Sequence, residues 1–425
     1  LNDRRRRDFA FARLLSSAVV SQAVLSAASF ATGLLLIRGA SNVEYGYYVL
    51  ALNAIVLLVS LQGSVFNPPL AIRMNLLDRA GRSDLVGSLY REQRRMLPFI
   101  GGSAFVIALC LWSAQELDSH TGLLVLITIV AAMACLHREF FRMVLLAHRR
   151  PQDVLRTDVI HVALLLAGVG LATLTPVPAV AAVAAMSLAA TVSGILLSHR
   201  LRRHEPWSTR GSGGILREIG PLAAWSTAGA AVHWGFSQGY IYLVAGTLDV
   251  AAVASISATR LLLMPVNLLS AGIGSLMLPL ASGWLPRHGA PLVWRRLCLL
   301  AAAMAGGTLG YFTLVWLSRG WLFEVVLRKQ FAQRDELLLL WGGVFLAMVV
   351  RDQLVFLLAA QGRFRALTLL TLAGAVVSLA TGYCAMIRFG VAGALTGLLI
   401  GELISVLGIA ILSVRNARQP LVFAA

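Results

Sequence analysis

A basic–acidic cluster sits inside an apolar run of membrane length, and it occurs twice. Arg138, Glu139 and Arg142 lie within Cys135–Arg150, and Arg351 and Asp352 lie within Val349–Arg363. Moving the second stretch back by 213 positions (351 less 138) places Arg351 on Arg138, Asp352 on Glu139, Leu358 on Leu145, Ala360 on Ala147 and Arg363 on Arg150. A charge at mid-bilayer costs about 2.5–3.5 kcal/mol on insertion scales, so such residues persist against a bundle interior or a wet cavity. Arg138 precedes His148 by about ten residues, hence ~15 Å of helix, near the middle of a ~30 Å hydrocarbon core. A guanidinium at that depth has one evident chemistry, bidentate binding of an anion such as phosphate. The plain alternative is that Glu139 and Asp352 neutralise their neighbours and fix helix packing. Set against Arg138, Arg142, Arg260 and Arg351, these two acids leave positive charge over. That surplus predicts an anionic cargo.

Other polar residues in apolar surroundings complete the candidate set. His161 and His233 are candidates for proton coupling, against the commoner role of a hydrogen-bonded helix histidine. Asn53, Gln62 and Gln238, with Asn67 and Asn267, suit sugar hydroxyls or, equally, hydrogen bonds between helices. Cys110, Cys135, Cys298 and Cys384 sit in apolar runs at no metal-like spacing, so the sequence predicts neither disulfide nor metal site. No catalytic residue and no cofactor is expected.

These residues need a membrane scaffold. Apolar residues make up 58% of the chain and charged residues 13%, against about 25% charged in soluble domains. Runs near the ~20-residue membrane length recur throughout. Twelve spans are expected, at about 14–37, 45–66, 97–114, 122–147, 157–174, 179–198, 219–244, 250–278, 297–317, 337–360, 366–387 and 391–414. The fold class is therefore an all-α polytopic membrane protein with two pseudo-symmetric six-helix lobes around a central cavity, residues 1–205 and 206–425. Both lobes enter the membrane in the same sense, as parallel repeats do in transporters. Gly211–Gly214 reads as a flexible joint between them; no strand precedes it and no Lys-Ser/Thr follows, so it does not read as a phosphate loop.

The net charge of +17 comes from arginine, with Lys329 the one lysine. Arg38, Arg319, Arg328, Lys329, Arg334 and Arg388 fall in predicted outer connections, and Arg138, Arg142, Arg260 and Arg351 fall within spans. All other basic residues lie in inner connections or the termini, which orients both termini to the cytoplasm. Positive charge in such loops has this ordinary source, and no nucleic acid is expected. Arg4–Arg7 is read as part of that cytoplasmic charge, since the apolar run behind it is too long for a cleavable leader. Tryptophans 112, 316, 321 and 341 near outer ends, and 284 and 294 near inner ends, are expected as interfacial anchors.

The eighth span reads Arg260-Leu-Leu-Leu-Met-Pro265 and continues to Pro279 and Ser282. This Arg-Leu-x3-Pro-x13-Pro-x2-Ser pattern resembles the eighth helix of the MurJ-type lipid II flippases, in the multidrug/oligosaccharidyl-lipid/polysaccharide exporter superfamily. Gln22, Phe30, Leu36-Ile-Arg38 and Glu44-Tyr-Gly46, with the Arg-x3-Arg and basic loop of the fourth span, look more like the polysaccharide-transporter branch, the Wzx-type flippases. Twelve spans where the MurJ type has fourteen, and no arginine within the first span, point the same way. The resemblance implies a bacterial inner-membrane flippase that moves an undecaprenyl-pyrophosphate-linked oligosaccharide for O-antigen or exopolysaccharide assembly. Arg260 is then a cavity arginine facing the pyrophosphate-sugar headgroup, with Arg38 a further substrate-binding candidate. Implied partners are the polyprenyl-linked glycan, membrane lipids, a glycan polymerase and a chain-length regulator, around a monomeric transporter.

Two other readings compete. A drug or organic-cation antiporter of the same fold needs unpaired cavity carboxylates, and Glu139 and Asp352 each adjoin an arginine. A membrane glycan polymerase or ligase needs a sizeable outer loop, and the longest one here, 318–336, contains no histidine.

Overall fold

A computed structural model of the chain describes residues 2–74, 76–204, 207 and 215–417. Gly211–Gly214, the expected joint, and the side chains of Arg4–Arg7 lie outside the described residues. A backbone crossing hydrocarbon has to satisfy its own N–H and C=O groups, which leaves helices or closed barrels. Among the described residues the chain takes the first solution and contains no strand. The helices are α1 (Asn2–Gly39), α2 (Asn42–Arg73), α3 (Arg79–Ser113), α4 (Ser119–Ala147), α5 (Pro151–Ala172) and α6 (Pro178–His204). They continue with α7 (Ile215–Thr247), α8 (Val250–Leu261), α9 (Met264–Leu317), α10 (Arg334–Ala360), α11 (Phe364–Phe389) and α12 (Val391–Ala417). Short turns, Arg319–Trp321 and Leu322–Leu327, join α9 to α10.

Among the described residues, ten of these helices carry an apolar window long enough to cross a bilayer, all but α7 and the short α8. Helix α9 is two crossings in one, since Gly289 breaks it at φ +75°, a left-handed conformation that glycine adopts without penalty. Counting α7, α8 with the first half of α9, and the second half of α9, twelve apolar lengths follow one another, as the sequence predicts. The chain is a multi-pass, all-α membrane protein. Two expected boundaries shift. The eighth span does not run unbroken from 250 to 278, because α8 ends at Leu261 and helix resumes at Met264 with Pro265 in its first turn. Proline lacks an N–H and suits that position, where no intrahelical partner is lost. The ninth span starts seven residues earlier than expected, at 290, directly after the Gly289 break.

Side-chain oxygens start several helices. Ser41, Asp78, Asp118 and Asp249 accept from backbone N–H groups of the first turns of α2, α3, α4 and α8, each cap contributing about 1 kcal/mol.

The chain divides into two compact units, Leu1–Ala231 and Val232–Ala425. Within the first, α4 lies against α2, α3, α5 and α6, while α5 packs on α1 and α6. Glu44 ties one end of this unit together. Its Oε2 accepts from Ala179 N in the first turn of α6 at 2.8 Å. Its Oε1 lies 2.8 Å from His120 Nε2 in the first turn of α4, off-line for a hydrogen bond, so the contact is ionic when the imidazole is protonated. The start of α2, α4 and α6 therefore share one end of the unit, as alternating crossings require.

Within the second unit, α10 packs on α9 and α12, and α11 packs on α12. Lipid tails are as apolar as leucine, so close van der Waals approach, rather than exclusion of water, holds such helices together. The α11–α12 pair uses small residues for this. A Cβ added at Gly397 falls 2.3 Å from Gly382 N, and one at Gly401 falls 2.6 Å from Ser378 Cβ. Gly397→Ala is therefore expected to lower the thermal stability of the detergent-solubilised protein, at the overpacking cost of about 1–3 kcal/mol. Gly307→Ala in α9, where nothing lies within 4 Å of the new methyl, is expected to be neutral or to gain up to about 1 kcal/mol from helix propensity. Equal melting temperatures for the two variants would contradict the close-approach account.

Candidate functional site

The first charged cluster is assembled by three helices. Arg138 and Arg142 are four residues apart on α4, so one face presents both. Between them, from α5, stands Asp158, which is fully buried. Arg138 Nη2 donates to Asp158 Oδ1 at 2.5 Å and Arg142 Nε donates to Asp158 Oδ2 at 3.3 Å. Ser21 Oγ of α1 also donates to Oδ2, at 2.5 Å. Glu139 completes the group, its Oε1 3.1 Å from Arg142 Nη1 and its Oε2 3.9 Å from Arg138 Nη1. Two guanidinium groups meet two carboxylates, so the expected surplus of positive charge is corrected here to a balance. Burying an arginine away from water is tolerable when acceptors surround it, and Asp158 supplies them. Glu139 is the partly exposed member. It borders a polar cavity of about 480 Å³ with Ser60, Ser64, Asn67 and Ser226.

The second cluster repeats the first in type but not in detail. Arg351 Nη1 on α10 donates to both oxygens of Glu402 on α12, at 2.7 and 2.6 Å, and Nη2 donates to Asp352 Oδ1 at 2.9 Å. Phe236 underlies the guanidinium carbon at 5.6 Å. One arginine faces two carboxylates, so this group too is compensated, with acid in excess. Asp352 is the more open of its acids and also accepts from Ser270 Oγ at 3.4 Å.

Arg260 differs. It lies in the last turn of α8, just before the Leu262–Leu263 break, and its Nη1 donates to Gln238 Oε1 at 2.9 Å and to Tyr240 Oη at 3.5 Å. Its guanidinium carbon lies 5.5 Å from the centre of the Trp341 ring. Trp341 is held by its own indole N–H, which donates to Ile256 O at 3.0 Å, and by an edge contact with Tyr240 at 5.8 Å. Its expected role as an interfacial anchor is corrected, since it is 2% exposed; that donation to an α8 carbonyl holds it inside the unit. The carbonyl of Leu262, freed by the break, accepts from Tyr311 Oη at 2.9 Å. Among the described residues no carboxylate pairs with Arg260. Its charge is held by an amide oxygen, a phenol and a π face, all neutral; the last is worth about 0.5–2 kcal/mol.

The remaining predicted residues are dispersed. Gln238 joins Arg260 directly. Gln62 instead donates to Leu136 O at 3.0 Å, and Asn53 bonds Val49 O of its own helix at 2.8 Å. His161 is buried with Nδ1 3.2 Å from Ser193 Oγ. His233 is exposed on α7, and Arg38 is exposed in the last turn of α1, where a basic side chain complements the carbonyl end of the helix.

Sequence reasoning overlooked Asp158 and Glu402. Moving either by the 213-residue offset lands on an apolar or neutral position, Thr371 and Ala189, so a search for repeated charges passes over both. An inventory of lone acids inside apolar spans would have found them. Removing one partner of a buried pair leaves an uncompensated charge, at about 3–5 kcal/mol. Asp158→Ala is thus expected to cut the yield of folded, monodisperse protein and lower its melting temperature. Restoring balance with Asp158→Leu combined with Arg138→Met is expected to recover most of the loss, as read by thermal unfolding in detergent.

No protein-family model matches the sequence, and no curated protein does. Solved structures do match in fold. An inward-facing multidrug resistance MATE family transporter of the MOP superfamily gives a TM-score of 0.77 at 13% identity, over 91% of this chain and 93% of that one. The lipid II flippase MurJ, in an inward closed conformation, gives 0.73 at 10% identity over 94% and 87%. An outward-facing MATE structure gives 0.69 at 13% identity over 96% and 94%. With its apolar crossings and buried ion pairs, the chain has the fold shared by these transporters of the MOP superfamily.

Proposed function

We propose that the protein is a flippase that carries a polyprenyl-pyrophosphate-linked oligosaccharide outward across the bacterial inner membrane by alternating access, with both termini cytoplasmic. The observation that carries this reading is Arg260. Three intramembrane arginines have carboxylates of their own, whereas among the described residues Arg260 keeps its charge with neutral partners. A phosphate oxygen completes such a group better than any neutral acceptor, because charge-assisted hydrogen bonds are roughly twice as strong as neutral ones. Beside Arg260, Gln238 offers an amide that suits a sugar hydroxyl. The cargo's charge also gives direction, since an interior-negative potential favours outward movement by about 2.3 kcal/mol per charge per 100 mV. The likeness to both an exporter and a lipid flippase supports transport; Arg260 supports an anionic cargo, and the glycan-carrying class of that cargo follows from the sequence resemblance.

A second reading, an organic-cation antiporter, draws on the excess acid around Arg351, where Glu402 and Asp352 face one guanidinium. The two readings separate experimentally. In cells that depend on the protein, Arg260→Ala is expected to leave its abundance unchanged and to trap polyprenyl-linked glycan on the inner leaflet, measured by its accessibility to added glycan-binding protein. Export falling by about tenfold or more corresponds to loss of one charge-assisted contact. Normal glycan export in Arg260→Ala, combined with heightened drug sensitivity in Asp352→Asn, would favour the antiporter instead.

A further inference from the structure

The polar cavity of about 480 Å³ beside Glu139 belongs wholly to the first unit. Its main wall is one face of α2. Ser60, Gly63, Ser64 and Asn67 fall at i, i+3, i+4 and i+7, so one stripe of an apolar crossing presents two hydroxyls, an amide and bare backbone. Glu139 borders the cavity from α4 and Ser226 from the first part of α7. Polar and ionisable groups inside a membrane span are expensive, and they face a bundle interior or a wet cavity.

The hydrogen bonds of these groups show what the cavity lacks. Ser64 Oγ is already engaged by Leu61 O at 2.6 Å and by Thr227 Oγ1 at 3.0 Å. Ser60 and Asn67 are exposed, and neither side chain makes a hydrogen bond among the described residues. Glu139 Oε1 accepts from Arg142, whereas Oε2 has Arg138 Nη1 at 3.9 Å, beyond hydrogen-bond reach. The cavity therefore offers a carboxylate oxygen that can only accept, with a hydroxyl and an amide that both donate and accept. A solute that answers all three carries several donors and acceptors close together.

Charge narrows the choice. Arg138 and Arg142 balance Glu139 and Asp158, so the cluster behind the cavity has no net charge to complete. An anion meets the carboxylate of Glu139, and a cation meets two guanidinium groups. A neutral, hydroxylated solute meets neither penalty, and the volume falls within the roughly 300–1,000 Å³ of small-molecule sites. We propose that this cavity is a saccharide site, in which an uncharged sugar ring donates a hydroxyl to Glu139 Oε2 and exchanges hydrogen bonds with Asn67 and Ser60. It selects for the sugar, as Arg260 selects for charge. The assignment rests on the proposed glycan cargo for its physiological ligand, while its test uses uncharged carriers and is read apart from Arg260.

The purified full chain is offered polyprenyl glucoside, galactoside or N-acetylglucosaminide against bare polyprenol of the same length, and retention is read by native mass spectrometry. Wild type is expected to retain at least one glycoside over bare polyprenol by about fivefold or more. Asn67→Leu is expected to weaken that preference by about fivefold, as loss of one neutral hydrogen bond does. Gly63→Leu, whose new Cβ meets only the Asn67 amide, at 3.3 Å, is expected to fill the cavity and bring retention to parity. Melting temperatures report whether each variant is folded, and Asn67→Leu decides the matter if Gly63→Leu is not. Arg260→Gln is expected to keep the full preference, so a failure of the phosphate reading leaves this result standing. Parity of all three glycosides with bare polyprenol in wild type, or an undiminished preference in folded Asn67→Leu, would overturn the proposal.

Discussion

A guanidinium inside a bilayer has to be answered by acceptors, and the kind of acceptor decides what the group is free to do. Carboxylates neutralise it and pin two helices together; neutral acceptors satisfy its geometry and leave its charge. The first solution occurs at Arg138 and Arg142, where Asp158 accepts from both, and at Arg351, where Glu402 accepts through both oxygens. Such pairs are weak evidence for added stability over an apolar core, yet removing one member is severe. They read as joints between α4 and α5 in the first unit and between α10 and α12 in the second. The second solution occurs at Arg260.

Local structure explains how Arg260 is held. The residue lies where α8 stops, and the two-residue interruption before Met264 frees backbone groups that a continuous helix would consume. Tyr311 satisfies one of these, and Trp341 secures the preceding turn through Ile256. The interruption is therefore braced from α9 and α10 rather than left slack.

Much of this architecture was legible from the order of residues alone. Apolar runs of membrane length gave the crossings, because a bilayer admits few alternatives, and the repeated Arg–acid pair pointed to the two charged clusters. The charge balance was misjudged for a definite physical reason. Adjacent residues such as Arg138 and Glu139 point about 100° apart on a helix, so the partner of an arginine is set by helix packing. Asp158 and Glu402 come from helices that are not counterparts under the internal repeat, and neither adjoins an arginine in the chain. Trp341 was misplaced similarly. Its position near a helix end suggested the interface, but its indole N–H had an internal carbonyl to meet. Arg260 was legible through Pro265, five residues on, whereas its aromatic and amide cage needed three-dimensional contacts from α7 and α10.

The central claim is that Arg260, the intramembrane arginine with no carboxylate partner among the described residues, is the one that reads the charge of the cargo. Native mass spectrometry of the purified chain can compare binding of a glycan on a polyprenyl-pyrophosphate carrier with the same glycan on an uncharged polyprenol. The account predicts a clear preference for the charged carrier that disappears in Arg260→Gln. An undiminished preference in that variant would contradict it.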